Sequence, residues 1–452
     1  MRTNLVSLAM SVALAAAAPA KTDQIDAIVT EQMKVSHLPG VAVAIVDNGR
    51  VTKLATYGNA SLEWPAKVDP DTRFQLASAT KLITGILLMR AVEQGRLSLD
   101  DPISNFFPGA PETWSRIHVR QLANHTSGLN EDLGQPRPKT LAGAVAASMK
   151  QPLAYEPGTE ARYGFTDFLI LRAIIEKVGG ASLPQLLDRE LVKPLGLTET
   201  GFAMAEDDGT VRTGELIHKR ASIYSWVGDR QRTSDFFFEP LGYGAGGLFS
   251  SVSDLAELFA AIDAGKVLKA GSLVAITTPA TLLNGRKSGF GIGWTVRDYH
   301  GVPVVGHSGG PALADILRIP SQGRTIIVLT NQHTFFPMLA ERIADLTIPQ
   351  PPLEGIADDR PAVAANLRGL FDALAGGGDD QRFAAEGSNP GEPLRSGVGK
   401  ALVEAIGPLE SVTLVRIEHD GARVYRLAFQ RKQWDWIVKV DSTGRIADLR
   451  PA

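Results

Sequence analysis

A chain of 452 residues with 44% hydrophobic composition is long enough to bury a sizeable core and to fold as two or three domains. Its formal net charge of −3 provides no basic footprint for nucleic acid, so no nucleic-acid partner is expected. The absence of cysteine excludes a disulfide framework, thiolate catalysis and any cysteine-based zinc site.

The opening MRTNLVSLAMSVALAAAAPA combines Arg2, an apolar run through Leu14 and the small residues Ala18-Pro19-Ala20. It reads as a signal peptide over residues 1–20, cleaved before Lys21, so the mature chain is expected to be periplasmic or secreted with no stable membrane span. Val41–Val46 and Val51–Tyr57 then flank Asp47-Asn48-Gly49, and Asn-Gly between apolar runs predicts a hairpin. From about Thr80 to about Ile262 the apolar spacing is mainly helical, at Leu82–Gly95, Leu141–Met149, Phe168–Val178, Leu183–Leu191 and Leu255–Ile262. Strand character returns at Phe290–Val296, Pro303–Gly306, Ala314–Ile319 and Thr325–Leu329. Residues 21–346 therefore open and close in strands. The expected fold is α+β, an antiparallel sheet formed from the N- and C-terminal parts, flanked by helices, with a helical lobe alongside.

Residues 347–360 contain Thr347-Ile-Pro-Gln-Pro-Pro-Leu353, which breaks periodicity and reads as a linker. Residues 361–452 follow as a small α+β accessory domain, with helices over Ala362–Leu374 and near Gly397–Ala405 and then period-2 strands. Its clearest strand places Trp434, Trp436, Val438 and Val440 on one face.

Two serines compete for chemistry. Gly306-His307-Ser308-Gly309-Gly310-Pro311 fits G-x-S-x-G, the nucleophile elbow of α/β-hydrolases. An elbow requires a helix directly after its serine, whereas Pro311 and the strand-like Ala314–Ile319 follow Ser308. No parallel βαβ alternation precedes it either. Ser78 is better placed, because Ser78 and Lys81 stand three apart at the start of a helical run and share one face. A serine hydroxyl needs a base to take its proton. A lysine serves only if its pKa falls by roughly 3 units, worth about 4 kcal/mol, through burial or a cationic neighbour. The helix N-terminus also favours negative charge developing near Ser78. S-x-x-K alone is expected about once by chance in a chain this long, so its neighbours decide its weight.

Those neighbours are FQLASATKLITG around Ser78, Leu97-Ser-Leu-Asp-Asp-Pro102, HTSGL at His125–Leu129, Pro157-Gly158, GAGGLFSSVSDLAEL from Gly244, GFGIGW from Gly289, and GHSGG. In this order the sequence, from about Asp26 to Asn331, resembles the serine β-lactamase and penicillin-binding-protein-like superfamily. It is most similar there to class C β-lactamases, D-alanyl-D-alanine carboxypeptidases and β-lactamase-like (family VIII) carboxylesterases. The resemblance implies Ser78 as acylated nucleophile, Lys81 as its base, and Tyr163 as the tyrosine of Y-x-N that shuttles protons. It implies an oxyanion hole from the backbone N–H groups of Ser78 and Gly310, worth roughly 3 kcal/mol per donor. His307-Ser308-Gly309 replaces the family's Lys-Thr-Gly, with the Ser308 hydroxyl expected to bind a substrate carboxylate or carbonyl and His307 to contribute a neutral or partly charged group. His125 is expected to shape the site wall.

One position departs from the pattern: Phe165 stands where Y-x-N has Asn, with Asp167 as an alternative source of a polar group. The loss tilts the expected activity towards esters, whose leaving groups need less help than an amide's. The expected function is thus an exported serine hydrolase working on small-molecule esters through an acyl-enzyme. A β-lactamase or D-Ala-D-Ala carboxypeptidase acting on lactam or peptide-like substrates, and a catalytically weakened binding protein of the same fold, are the alternatives. The eight histidines show no H-x-E-x-x-H or H-x-H clustering, so no metal and no cofactor are expected.

Overall fold

In a computed structural model the described residues are 23–203, 205–207, 212–234, 238–310, 313–333, 338–395 and 397–451. The expected signal peptide lies outside them. In chain order, the elements that build the site begin with helix α1 (Gln24–Val35), whose first turn is capped by the Asp23 carboxylate accepting from Ile25 N. Strands β1 (Gly40–Asp47) and β2 (Arg50–Ser61) follow as the predicted hairpin. Asn48 and Gly49 adopt φ of 49° and 77°, the left-handed pair that a tight two-residue turn demands. After β3 (Ala66–Lys67) come the helices α2 (Thr80–Glu93), α3 (Thr166–Gly179) and α4 (Val252–Asp263). Strands β4 (Thr295–Tyr299), β5 (Val302–Gly309), β6 (Ala314–Ile319) and β7 (Arg324–Thr330) and the short helix α5 (Leu339–Ala344) complete this part.

The strands form one antiparallel sheet in the order β4-β5-β6-β7-β1-β2-β3. It closes where β1 from the start of the chain pairs with β7, Val43 opposite Val328. Both faces are covered, which explains the near-continuous apolar runs of the central strands. On one face Ala42, Ala44, Val305, Ile316, Ile327 and Leu329 pack against α2 and α4. On the other, Val41, Val43, Val304, Leu317, Ile326 and Val328 pack against α1 and α5. Helix α2 is apolar around nearly its whole circumference and is accordingly buried along its length.

Three local expectations change. Phe290–Trp294 bends instead of extending, and the strand begins at Thr295. The cause is close backbone packing: a Cβ on Gly291 would lie 2.0 Å from Ile276 O, and one on Gly293 would lie 2.4 Å from Lys81 O. The run Leu183–Leu191 is α-helical only to Leu187 and continues as a π turn over Asp188–Val192. The helical block also contains short hairpins, Tyr224–Val227 with Arg230–Thr233 among them, too brief to show a strand period.

Beyond a segment without regular elements at 349–357, helices α6 (Pro361–Gly376) and α7 (Gly397–Ile406) cover a four-stranded antiparallel sheet. Its strands are β8 (Leu409–Ile417), β9 (Arg423–Phe429), β10 (Gln433–Val440) and β11 (Ile446–Pro451), in sequence order. Leu367, Phe371, Tyr425, Trp436 and Val438 form a core separate from the two clusters above. No described helix is long and apolar enough to cross a membrane.

Candidate active site

Ser78 sits on a single 3-10 turn, Ala77–Ala79, that leads directly into α2. Ala77 has φ 45°, a left-handed conformation that costs an alanine roughly 1–2 kcal/mol. The turn holds because its surroundings are fixed: Leu76 and Ala79 are fully buried, and Leu76 N donates to Leu248 O at 2.8 Å. The result is a half-buried serine presented at a helix start.

One turn further along, Lys81 is 2% exposed. Its Nζ donates to Ala245 O at 2.9 Å and lies 4.7 Å and 5.2 Å from the ring centroids of Tyr163 and Phe168. Burial pulls its pKa down to about 7, against the opposing pull of Glu131 and Asp167. This meets the requirement placed on Lys81 from the sequence, a lysine substantially uncharged near neutrality. The segment that supplies Ala245 is stitched to α2 on both sides, Thr84 Oγ1 donating to Gly244 O at 2.8 Å and Leu248 N to Thr80 Oγ1 at 3.2 Å.

Tyr163 precedes α3, and its hydroxyl lies close enough to Ser78 for the serine to favour the phenolate. Although the residue is 49% exposed, partial desolvation raises its pKa, with Ser78 opposing, so the phenol stays protonated at neutral pH. Its ring is tilted against His125 at 4.8 Å between centroids and lies 5.9 Å from His307. His125, at φ 59°, is a wall residue as expected from its motif: Nδ1 meets Asp167 Oδ2 at 2.9 Å, and Ser127 Oγ donates to the other oxygen of the same carboxylate. Asp167 is thereby committed to the turn and does not stand in for the missing Asn. The Phe165 ring instead packs against the glycine-rich segment, 3.5 Å from where a Cβ on Gly242 would lie, while the Phe238 ring covers Gly246. Lys81 therefore donates its hydrogen bond to a backbone carbonyl, and Phe165 stands at the sequence position of the family's Asn.

Strand β5 supplies the opposite wall. By alternation His307 and Gly309 face α2, opposite Ile316 and Ala314, whereas Ser308 faces the other side, opposite Asp315. Gly309 is pressed onto the Ser78 turn: a Cβ there would lie 1.8 Å from Leu76 O and 3.2 Å from Ala79 N. No side chain fits, and Gly309 is seated directly against the turn that carries Ser78. The His307 Nδ1 is 2.6 Å from Ser308 O, which assigns the proton to Nδ1 and leaves a buried, unpartnered Nε2 as an acceptor. Burial, reinforced by Lys81, lowers its pKa to about 3, so the ring is neutral.

The placement of Ser308 corrects the expectation from the sequence. Its hydroxyl donates to Asp315 Oδ1 at 2.8 Å on the face of the sheet covered by α5, away from Ser78. The strand places His307 and Gly309 with the Ser78 turn, Lys81 and Tyr163, and turns Ser308 out of that group. Ser308 also lies within a strand, which disposes of the elbow reading.

Three participants were invisible in the sequence. Ala245 contributes only a carbonyl, which no residue type signals. Glu131 accepts from Phe165 N at 2.9 Å and Thr166 N at 3.1 Å, capping α3 and bringing a negative charge towards Lys81. Phe290 packs edge-on to His125 at 5.0 Å.

A serine before a helix, a lysine one turn on and a tyrosine close to the serine, set beside an antiparallel sheet, form the arrangement of a β-lactamase fold. Residues 25–347 match the Beta-lactamase family model, and the chain belongs to that family. Protein flp of Staphylococcus aureus (strain N315) is 28% identical over 339 residues, which cover 71% of this chain and 65% of flp. For strain COL the match is 31% over 191 residues, 40% of this chain and 38% of flp. The chain thus spans less than two thirds of the length of these curated relatives. Among solved structures, the D-amino acid amidase from Ochrobactrum anthropi SV3 superposes with a TM-score of 0.58 at 23% identity, covering 68% of this chain and 90% of the amidase. EstCE1, a hydrolase with promiscuous acyltransferase activity, superposes at 0.56 with 23% identity, covering 68% and 93%. At these identities the likeness establishes the fold.

Proposed function

We propose that this protein hydrolyses uncharged acyl substrates, carboxylic esters foremost, through an acyl-enzyme on Ser78. The observation that carries the reading is His307. Where the family has lysine, a buried neutral imidazole offers an acceptor, and the neighbouring Ser308 hydroxyl is turned to the far face. The wall thus lacks the charge that would hold a substrate carboxylate, such as that of a lactam antibiotic or a peptide C-terminus. An apolar Phe165 in place of Asn points the same way.

In this reading Lys81, about half neutral at pH 7, accepts the Ser78 proton as Oγ attacks the carbonyl carbon. Charge develops on the carbonyl oxygen between the Ser78 and Gly310 N–H groups. The Tyr163 phenol, close to Ser78, gives its proton to the departing alkoxide as the C–O bond breaks and recovers one from the protonated Lys81. Water then attacks the acyl-enzyme by the reverse relay and releases the acid. The proposal includes export, for which Arg2, the apolar run and Ala18-Pro19-Ala20 are the support.

The test is fluorophosphonate labelling with mass mapping of wild type and Ser78→Ala, followed by turnover of paired p-nitrophenyl esters differing only in a free carboxylate or its methyl ester. Label on Ser78, its loss in Ser78→Ala, and preference for the methyl ester are expected. The kcat/KM is expected to rise with pH up to a plateau just above about 7, since the neutral form of Lys81 is the base. Label retained in Ser78→Ala, or turnover confined to carboxylate-bearing lactams, overturns the reading. N-terminal sequencing of the exported protein checks cleavage before Lys21.

A further inference from the structure

On the back of the sheet, beneath the strand that bears His307, charged groups from three parts of the chain converge. Ser308 of β5 donates to Asp315 of β6, whose second oxygen is buried without a hydrogen-bond partner close to Ala340 and Glu341 of α5. Glu341 of α5 binds Arg297 of β4 at 2.5 Å through one oxygen and Lys432 through the other. Lys432 belongs to the β9–β10 turn of the C-terminal sheet. It is 4% exposed, and its Nζ also donates to Tyr299 OH at 3.1 Å; Tyr299 in turn donates to Asp345 Oδ1 at 2.7 Å.

The charge count gives this turn a role. Asp315, Glu341 and Asp345 bring three carboxyl groups under β5, whereas the catalytic part supplies Arg297 as the counter-cation bonded within the cluster. Lys432 is the second cation, and it comes from the C-terminal unit. Removing it leaves Glu341 and Asp345 poorly compensated next to Asp315, the group that holds Ser308. Strand β5 has little tolerance for movement, because Gly309 already touches the Ser78 turn.

We propose that Lys432 is a positioning residue for the active-site strand. Through Glu341, Arg297 and the Asp315–Ser308 bond, the C-terminal unit sets the place of His307 and Gly310 relative to Ser78. The accessory unit is then part of the hydrolase, not a passenger. The catalytic side of this statement rests on the function proposed above; the mechanical coupling does not.

The test uses full-length Lys432→Met, Lys432→Arg and Ser308→Ala. It has two readouts: kcat and KM on the best neutral ester, and the imidazole NMR resonance of His307, assigned by its loss in His307→Gln. Lys432→Met is expected to lower kcat about 10-fold or more with KM within about twofold, and to shift the His307 resonance. Lys432→Arg is expected to restore both, and Ser308→Ala to act in the same direction as Lys432→Met. If Lys432→Met does not fold, as judged by circular dichroism, Ser308→Ala alone decides on the same readouts. An unmoved His307 resonance overturns the proposal, whether or not kcat falls, because a loss of activity without it is general destabilisation. If wild type hydrolyses no ester while the resonance still shifts, the coupling stands and the functional reading fails.

Discussion

Lys81 shows how burial lowers the pKa of a lysine into the range that the proposed base needs, and what that does to stability. Unfolded, its amine holds a proton up to about 10.5; folded, only up to about 7. Between these values the unfolded chain binds more protons, so the stability of the folded protein rises with pH across that window. At pH 7 the burden is on the order of 4 kcal/mol before its hydrogen bond to Ala245 O and its two ring contacts are credited. Lys81→Met is therefore expected to abolish esterase activity yet melt higher at pH 7, by roughly 1–3 kcal/mol of stability, with the gain shrinking as pH rises towards 10. Denaturant titrations at pH 7 and pH 10 check this, and a less stable variant at pH 7 would contradict it. The residue pattern already announced Ser78 and Lys81, because i, i+3 spacing at a helix start is local geometry. It could not announce Ala245, whose part is played by a main-chain oxygen.

At the scale of elements, β5 does most to shape the site. Its period-2 alternation sends His307 and Gly309 to one face and Ser308 to the other, and the register with β6 places Asp315 under Ser308. Reading GHSGGP as a string treats three neighbours as one group, whereas a strand divides them. Gly309→Ala tests how closely this strand must approach the nucleophile. Its Cβ would meet Leu76 O at 1.8 Å, so the strand or the Ser78 turn has to retreat. A loss of about 100-fold or more in kcat is expected. Fluorophosphonate labelling and ester turnover measure it, and near-wild-type kcat would show that the oxyanion donors lie elsewhere. The bend at Phe290–Trp294 follows the same logic. Its sequence is strand-like, but the glycines are there to let the main chain touch α2 and Ile276.

For the whole molecule, two cores meet at a buried charge cluster, beside the apolar contact that Met338 makes with the C-terminal core. Glu341 lies between Arg297 and Lys432, and despite the burial that would raise it, these cations lower its pKa to about 2. Its contribution is full above the ordinary glutamate value of about 4.5 and is lost as pH falls from there towards 2. Glu341→Gln is accordingly expected to destabilise by about 2–4 kcal/mol at pH 7, leaving two cations without their partner, and to cost progressively less below pH 4.5. Thermal melts across that range follow the difference, and a penalty independent of pH would refute the assignment. Burial raises Asp315 and Asp345 and the Glu341 charge raises both further, so in Glu341→Gln they ionise more readily and offset part of the loss.

The chain order alone determined the hairpin at Asn48-Gly49, the helix carrying Ser78 and Lys81, the helices and strands after Pro361, and the series of motifs that mark the family. Each depends on residues within a few positions of one another, where side-chain type and backbone preference act directly. Only the tertiary structure decided that Ala245 holds Lys81, that Phe165 packs on Gly242, that Asp167 belongs to the His125 turn, and that Ser308 looks away from the pocket towards Asp315 and the charges anchored by Lys432. These depend on which strand pairs with which and on which face a residue falls, and pairing between segments far apart in the chain leaves no local trace.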